Sequence, residues 1–439
     1  MADNGSKTRP VRTLTVKNFS VIKEAKLELG KITVLIGPQA SGKSLLCKLA
    51  YFLGGEILDI AVDSLLDRYS WDDFLKTVGR EFKSRFLTAG WLKISTKAAY
   101  TSLRYSVTLD GFGDPLNPEI RFSFSNDLRG LYSQIGDNPS KQLPTANRSR
   151  NELKEDLRAE VAFLKDFKHR QSDTYIPAGR ALFTGASKSI VALQNPDIDQ
   201  LTRQFAGLIA WDSRWKIGYL TTGRNVLQDV QKEMYRIADG TVVVVDGAPR
   251  FLSRRGHHLP FSAVSSGTLE LLPLFNIVDQ LACSQEDMFA RTPAIRPGQV
   301  GETIFHSPCV FLEEPEANIF PSTQYDLVKL FAWLAVDPVL DFDWVITTHS
   351  PYVLSGFNNL ILAGQLGQDK RLKKKLKIDE RFWVEPGTFK AYSIHDGKLE
   401  SILSDSGLID GEYLDGVSEG IGNEFNEMLR LEYGKKKAS

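Results

Sequence analysis

The chain has 439 residues, of which 42% are hydrophobic, and its 54 Lys and Arg residues balance its 54 Asp and Glu residues. A chain of this length can bury a large core and predicts two or three domains. The formal net charge of zero argues against a protein that coats nucleic acid through an overall positive field. The three cysteines, Cys47, Cys283 and Cys309, are too scattered for a disulfide framework or a CxxC metal site.

The N-terminal stretch MADNGSKTRP is polar, and it contains no apolar core of the kind that a secretion signal needs. The most apolar windows are interrupted by glycines or acids, and none approaches the ~20 apolar residues that span a bilayer. We therefore expect a soluble, cytoplasmic protein that has no membrane partner.

The first third of the chain predicts strands, then helices, then strands again. Residues 11–36 alternate like two paired strands and then form a short buried strand, and a helix begins near Lys43. Apolar residues keep a helical spacing to about Phe86. From Trp91 to Asn126 the period changes to two, and the segments WLKIST, SLRYSVTL and EIRFSFSN predict an antiparallel meander.

The middle of the chain predicts helices, and the part that follows it alternates strands with helices. A polar, turn-rich stretch at 136–148 marks the first boundary. Helical spacing recurs within 148–170, 197–215 and 223–239. Further helices are predicted at 268–283, 322–334 and from Pro351, and strands at 240–247, 250–264, 309–312 and 343–347. The fold class that follows is α/β, with a mixed, largely parallel core sheet, an antiparallel β meander and an inserted helical lobe.

A glycine-bounded loop follows the first buried strand, within the stretch VLIGPQASGKSLLCKLA. Eight consecutive residues match the pattern G-x-x-x-x-G-K-[ST]: Gly37, Pro38, Gln39, Ala40, Ser41, Gly42, Lys43 and Ser44. Glycines let the backbone curl until its N–H groups face phosphate oxygens, and the following helix adds its positive end. Lys43 is predicted to reach the β- and γ-phosphates of a nucleotide, and Ser44 to ligate Mg²⁺. The alternative is a chance glycine loop, which would not require a strand before it and a helix after it.

Two adjacent carboxylates follow a second buried strand, in the stretch PCVFLEEPEANIFP. Because the carboxyl ends of parallel strands line the ligand crevice of an α/β sheet, we expect Glu313 near the Mg²⁺ ion. Glu314 is then free to orient or deprotonate an attacking water. The alternative is an ordinary strand-to-helix loop whose acids are solvated.

Two more polar turns precede predicted helices. The triplet Ser265-Ser266-Gly267 offers N–H groups, hydroxyls and a positive helix end, which predicts a second anion site that clasps the nucleotide held by another copy. A plain serine N-cap is the alternative. Thr347, Thr348 and His349 end another buried strand, where they are predicted to contact the γ-phosphate unless the histidine is an ordinary surface residue.

These motifs, in this order, resemble the ABC-type ATPase superfamily, and more closely its branch of OLD-family, RecF-like and SMC-like ATPases. The opening LTVKNFSVIKEAKLELGKITVLIGPQASGKS is similar to that branch's strand, hairpin and phosphate loop. FLEEPEANIFP resembles the Glu-Glu-Pro-Glu segment of OLD-like proteins. SSGT occupies the position of the signature motif, which transporters fill with LSGGQ. TTHSPYVLS resembles the histidine switch of these ATPases. DTYIPAGRALF resembles an arginine-bearing segment of OLD-like ATPases, which implies a nucleotide-sensing or interface role for Arg180.

The resemblance implies an ATPase that uses ATP and Mg²⁺, with Lys43, Glu314 and His349 as catalytic residues and with Ser44 and Glu313 at the metal. It also implies a homodimer or higher homo-oligomer in which two subunits sandwich two ATP molecules. On this interpretation, four regions follow one another: an N-terminal ATPase lobe (1–135), a helical lobe (136–240), a C-terminal ATPase lobe (241–365) and a C-terminal extension (366–439).

Three features depart from the family pattern. No long coiled coil is predicted, which excludes an SMC-type tether. Phe320 stands where a histidine is frequent. No TOPRIM-like acidic cluster follows the histidine motif, whereas OLD nucleases carry that domain on the same chain.

As a stand-alone ATPase that lacks a nuclease of its own, the chain resembles the ATPases of bacterial anti-phage systems. That group includes the ATPase of the PARIS system. That resemblance implies a sensor or regulator of a separate effector, a TOPRIM-type nuclease, with a phage protein or DNA as the trigger. Two other functions stay open. One is a RecF-like DNA-repair clamp, for which DKRLKKKLK supplies a basic surface unless it is a solvated loop. The other is a scaffold that binds ATP and sequesters a partner with little turnover.

Overall fold

In the computed structural model, the described residues are 11–86, 90–102, 105–135, 154, 157, 173–185, 199–211, 225–246, 248–291 and 308–410. The strands are β1 (Arg12–Phe19), β2 (Ile22–Leu29), β3 (Ile32–Ile36), β4 (Lys97–Thr101), β5 (Ser106–Asp114), β6 (Asn117–Phe124), β7 (Thr174–Ile176), β8 (Gly240–Val245), β9 (Ala248–Ser253), β10 (His258–Leu259), β11 (Cys309–Glu313), β12 (Asp343–Thr348), β13 (Phe389–His395) and β14 (Lys398–Ser401).

The helices are α1 (Lys43–Tyr51), α2 (Ile57–Leu66), α3 (Trp71–Arg85), α4 (Asn126–Ile135), α5 (Ala181–Gly185), α6 (Gln200–Trp211), α7 (Asn225–Ala238), α8 (Ser266–Arg291), α9 (Pro321–Val336), α10 (Pro351–Leu366) and α11 (Lys370–Lys373). A π-helical turn, Phe52–Glu56, joins α1 to α2.

One mixed sheet dominates the described residues. Its 11 strands lie in the order β6-β5-β4-β1-β2-β14-β13-β3-β12-β11-β7, and β10-β9-β8 form a separate three-stranded sheet. Five neighbours, from β13 to β7, run parallel to one another, whereas β1, β2, β4, β5 and β6 pair antiparallel. The carboxyl ends of the parallel strands therefore meet at one edge of the sheet, where ligands bind in such folds.

Helices cover both faces of the parallel strands. Val34 and Leu35 are adjacent in β3, and they lie in two different hydrophobic clusters because successive side chains of a strand point to opposite faces. One cluster includes side chains of α8, α9 and α10, and the other includes side chains of α1, α2 and α3. Burial on both faces explains why β3 and β11 consist almost wholly of apolar residues, and why Trp344, Val345 and Ile346 form the centre of β12.

The structure confirms the α/β class with its mixed sheet, and it corrects two elements. The first strand of the meander is β4, not WLKIST, because Thr101 and Lys97 pair with Thr13 and Lys17 of β1. The middle of the chain is not purely helical, since β7 adds an edge strand beside β11. The helix predicted at 148–170 lies outside the described residues, apart from positions 154 and 157.

Candidate functional site

Residues 37–42 form the turn between β3 and α1. A Cβ atom on Gly37 would lie 2.6 Å from the carbonyl oxygen of Ile394 in β13, so a side chain does not fit there. Gly42 has a φ of 106°, a conformation that favours glycine. Helix α1 has no side-chain cap and no acidic residue in its first turn. Its first N–H groups therefore remain available to an anion.

Lys43 is buried beside this turn, and among the described residues its ammonium group hydrogen-bonds only to backbone oxygens. Its Nζ donates hydrogen bonds to the carbonyl oxygens of Gly37 and Pro38, both at 2.8 Å. Burial lowers the pKa of Lys43, and the nearby charges of Glu314 and Glu316 oppose that effect. The cation thus lies close to carboxylates with which it forms no described ion pair. Such a group is suited to receive an added anion.

Glu313 ends β11 as a buried carboxylate. Its Oε2 accepts a hydrogen bond from the backbone N–H of Ala178 at 3.3 Å, whereas its Oε1 has no hydrogen-bond partner among the described residues. Burial and the charge of Glu313 raise the pKa of the Tyr175 phenol, yet no hydrogen-bond geometry joins the two groups. Thr347 is the register partner of Glu313 in β12, and its Oγ1 also lacks a described partner.

Glu314 and His349 meet beside this position. Glu314 has a left-handed φ of 42°, and its N–H donates to the carbonyl oxygen of Thr347 at 2.9 Å. Its Oε1 lies 3.4 Å from Nε2 of His349, and the two side chains are 36% and 35% exposed. The backbone N–H of His349 donates to Oε1 of Glu316 at 2.6 Å. The structure therefore brings together two predicted catalytic residues and a third carboxylate that the sequence analysis did not select.

The serine-glycine turn lies at the start of α8. Ser265 is exposed, and its Oγ accepts the N–H of Thr268 at 3.2 Å, so it caps the helix as the alternative interpretation expected. Ser266 is also exposed. A Cβ atom on Gly267 would lie 2.6 Å from the carbonyl oxygen of Asn318, so the turn packs against the loop that follows the acids of the same chain.

Arg180 lies in the interior of the described part of the chain, and its predicted nucleotide-sensing or interface role stays a prediction. Its side chain is 0% exposed. Its guanidinium donates to the carbonyl oxygens of Pro177, Glu313 and Glu314 at 3.0, 2.6 and 3.0 Å. Burial lowers the pKa of Arg180, and the nearby charge of Glu270 opposes that effect. The arginine thus holds the backbone at the end of β11.

The residues at this edge fit a magnesium nucleotide. Several buried polar atoms at this edge have no described partner: Ser41 Oγ, Glu313 Oε1, Glu316 Oε2 and Thr347 Oγ1. No group of three or more His, Cys, Asp or Glu side chains forms a ready metal site in the described ranges. A magnesium ion usually takes only one or two carboxylates and completes its shell with phosphate oxygens and waters. Ser44, at the start of α1, and Glu313 are suitable donors for that arrangement.

Sequence reasoning missed Glu316 and Glu270. Glu316 is the third acid of the stretch EEPE, which was a usable signal. Glu270 stands alone in the apolar run TLELLPLF, and a single acid inside a buried helix is itself a signal. Among the described helices, none combines the length and the apolar character that a bilayer crossing requires.

Comparisons with solved structures returned low sequence identities. The SMC head domain from Thermotoga maritima is 9% identical, with 91% of this chain and 100% of that chain covered and a TM-score of 0.34. The recombination mediator RecF is 12% identical, with 89% and 98% covered and a TM-score of 0.33. A dimeric bacterial ABC transporter cassette is 10% identical, with 89% and 99% covered and a TM-score of 0.30.

A search of the curated proteins returned no match. A family profile, in contrast, matches residues 32–355, which is 324 of the 439 residues and includes both the turn at 37–42 and the acids after β11. The chain therefore belongs to the family described as "AAA domain, putative AbiEii toxin, Type IV TA system".

Proposed function

We propose that the chain binds and hydrolyses ATP with Mg²⁺ and that it switches through nucleotide-dependent dimerisation of its ATPase head. The observation that carries this proposal is the set of unpartnered buried polar atoms around Lys43 at the carboxyl edge of β3, β11 and β12. An unsatisfied buried polar group costs ~1–3 kcal/mol. The concentration of such atoms beside a buried lysine supports a ligand at this edge of the sheet.

In the proposed reaction, ATP bound with Mg²⁺ is the substrate, and its terminal phosphoanhydride bond is the one that is cleaved. In this proposal, the N–H groups of 37–44 and the ammonium of Lys43 hold the phosphates, while Ser44 and Glu313 hold the metal. The carboxylate of Glu314, which is partly exposed, orients a water and accepts its proton. His349 lies against Glu314 and adds a second polar group at the same position.

A second copy completes the site in this proposal. Ser265 and Ser266 are exposed at the positive end of α8, so their hydroxyls and the nearby N–H groups are accessible to a nucleotide held by another subunit. Gly267 keeps this turn against Asn318, close in sequence to the acids. Closure of two heads would therefore move the capping turn and the hydrolytic loop together.

The direct test compares Lys43→Ala with Lys48→Ala. Both lysines belong to α1, but Lys48 lies 3.6 Å from Asp199 and does not contact the turn. We expect Lys43→Ala to abolish binding of a fluorescent ATP analogue and to lower ATP turnover by at least ~100-fold. Lys48→Ala should behave like wild type. The proposal is wrong if wild type binds no nucleotide, or if both variants bind it equally well.

We further propose that the switch regulates a separate effector nuclease of the TOPRIM type in anti-phage defence, with a phage protein or DNA as the trigger. The family description names a putative toxin of a type IV toxin–antitoxin system, which supports a role beside a second component. Glu314→Gln should trap an ATP-bound oligomer that retains its partner in gel filtration. If wild type hydrolyses no ATP even with that partner, the scaffold role is favoured instead.

A DNA clamp is the second candidate function, and an exposed basic segment favours it. Six of the eight residues from Lys370 to Lys377 are Lys or Arg, and all six are exposed. Asp369 caps α11 through the N–H of Arg371, so the segment has a defined backbone. If this candidate is correct, DNA should raise ATP turnover, and the stimulation should fall steeply with salt. Unchanged turnover with DNA at low salt would exclude it.

A further inference from the structure

The turn 177–180 holds the end of β11 from two sides. The backbone N–H of Ala178 donates to the Glu313 carboxylate at 3.3 Å, while Arg180 binds the carbonyl oxygens of Glu313 and Glu314. A further bond from Arg180 to the carbonyl oxygen of Pro177 closes the turn on itself. One fully buried guanidinium therefore fixes the backbone that presents both candidate site carboxylates.

The backbone of Glu314 requires such a constraint. Its φ of 42° is left-handed, a conformation that is unfavourable for a residue with a side chain and persists only where the surroundings fix it. Its N–H is bound by the Thr347 carbonyl oxygen and its own carbonyl oxygen by Arg180, so both sides of the strained residue are held. The direction of the Glu314 side chain follows from this geometry.

Arg180 also contacts helix α8. Its Nε donates a hydrogen bond to the carbonyl oxygen of Glu270 at 3.4 Å. The same Nε lies 3.7 Å from the carboxylate oxygen Oε2 of Glu270. Glu270 is 3% exposed, and its Oε2 forms no hydrogen bond among the described residues. Glu270 follows Ser266 by four residues, which is about one helical turn or ~6 Å along the axis. The arginine thus bridges the hydrolytic loop and the first turns of the helix that carries the serine-glycine turn.

We propose that Arg180 is a positioning residue that couples the serine-glycine turn to Glu314. A subunit that engages Ser265 and Gly267 displaces the start of α8, and the Glu270–Arg180 contact transmits that displacement to the Glu314 carbonyl. The inference rests on the proposed ATPase function, and it adds the route by which capping by another copy reaches the hydrolytic carboxylate.

A purely structural role explains the arrangement less well. Buried ion pairs are often no more stabilising than apolar residues of the same volume. Here the guanidinium donates its hydrogen bonds to backbone oxygens, and its Nε lies 3.7 Å from the Glu270 carboxylate oxygen, which exceeds hydrogen-bond length. This geometry fixes the position of the loop at the expense of a buried charge whose pKa is lowered by burial.

The test uses two variants and their matched controls. Arg180→Lys keeps a charge but replaces the planar fork with a point ammonium, which cannot follow the same set of carbonyl oxygens. Glu270→Gln removes only the charge that faces Arg180. Arg85→Lys and Glu56→Gln are the controls, because Arg85 and Glu56 form another buried ion pair, with side chains 4% and 6% exposed.

We expect Arg180→Lys to lower kcat by ~100-fold and Glu270→Gln by ~10-fold, with the Kd of a fluorescent ATP analogue unchanged within about twofold. Both variants should also accelerate amide hydrogen exchange at Glu314, Ala317 and Ile319 in the nucleotide-free protein, because their N–H bonds belong to the held loop. Both controls should leave kcat, Kd and exchange at those amides unchanged.

The outcomes separate the inference from the proposed function. If wild type turns over ATP but both variants match their controls in kcat and exchange, the positioning role is wrong and the ATPase proposal stands. If wild type does not turn over ATP, the exchange measurement still decides whether Arg180 and Glu270 hold the loop. If Arg180→Lys is unfolded by circular dichroism, Glu270→Gln carries the test alone.

Discussion

Buried charges lie near both edges of the parallel strands, but they differ in whether they are paired with a charge of opposite sign. At the amino edge, Arg12 pairs with Asp343 at 2.9 Å, and Lys31 pairs with Asp343 at 3.0 Å and with Asp341 at 2.6 Å. At the carboxyl edge, Lys43 hydrogen-bonds only to carbonyl oxygens among the described residues, and Glu313 and Thr347 each have a buried polar atom without a described partner. Arg12 and Lys31 are thus paired with carboxylates near the amino edge, whereas Lys43 at the carboxyl edge has no ion pair among the described residues.

The pKa shifts express the same contrast. Burial acts to lower the pKa of Arg12, but the charge of Asp343, together with weaker contributions from other nearby groups, outweighs it and the pKa is raised. Burial lowers the pKa of both Lys43 and Arg180, where the opposing charges do not compensate. A compensated cluster stabilises a fold, whereas an uncompensated one retains binding capacity for something that is added later.

The largest effect is expected from a substitution that breaks the ion-pair cluster at the amino edge. Asp343→Ala leaves Arg12 and Lys31 buried without their shared carboxylate, so we expect a loss of ~3–5 kcal/mol in the free energy of unfolding. Urea denaturation measures this loss. Glu24→Ala is the control, because its pair with Lys17 is exposed and should contribute less than ~1 kcal/mol. Equal effects of the two variants would contradict the contrast between the edges.

A smaller effect is expected at the carboxyl edge. Glu314→Gln should lower ATP turnover by at least ~100-fold, since removal of a general base costs 10²–10⁴-fold, while the unfolding free energy changes little. Steady-state turnover and an unfolding curve measure the two quantities. Glu400→Gln, on the exposed side of β14, is the control and should leave both unchanged. A stability loss as large as that of Asp343→Ala would show that this edge is structural as well.

The smallest effect compares two fully buried threonines. Thr347 Oγ1 has no partner in the described part of the chain, so Thr347→Val should be neutral or stabilise the nucleotide-free protein by up to ~1 kcal/mol. The thermal shift on adding ATP and Mg²⁺ should nevertheless decrease. Thr33, near the amino edge, accepts the N–H of Gly30 at 2.9 Å, so Thr33→Val should destabilise by ~1 kcal/mol. The opposite order of stabilities would refute the comparison.

Much of the local structure could be predicted, because it is written in short patterns. The turn at 37–44 lies between a strand and a helix as its glycines and lysine indicated, and Glu313 ends a strand as the apolar run before it indicated. WLKIST failed because alternation alone does not select the segment that pairs with β1. Tertiary contacts decide which segment pairs with β1, and an alternating pattern carries no information about those contacts.

Long-range contacts account for what the sequence did not reveal at the site. Arg180 is separated by 133 residues from the carbonyl group of Glu313 that it binds, and no local pattern reports such a pairing. The segment 366–439 was predicted only as a C-terminal extension. It supplies β13, which lies directly beside β3 in the sheet.

That position of β13 bears on the biosynthesis of the protein. Residues 389–393 must reach β3 before the strand is covered on that side, and the carbonyl oxygen of Ile394 borders Gly37. The ribosome therefore makes some 350 residues between the turn at 37–42 and β13, the strand that borders it. A nascent or truncated chain exposes an apolar β3 edge that is prone to aggregate. The sheet beside the turn at 37–42 is therefore completed only after residues 389–395 have been synthesised.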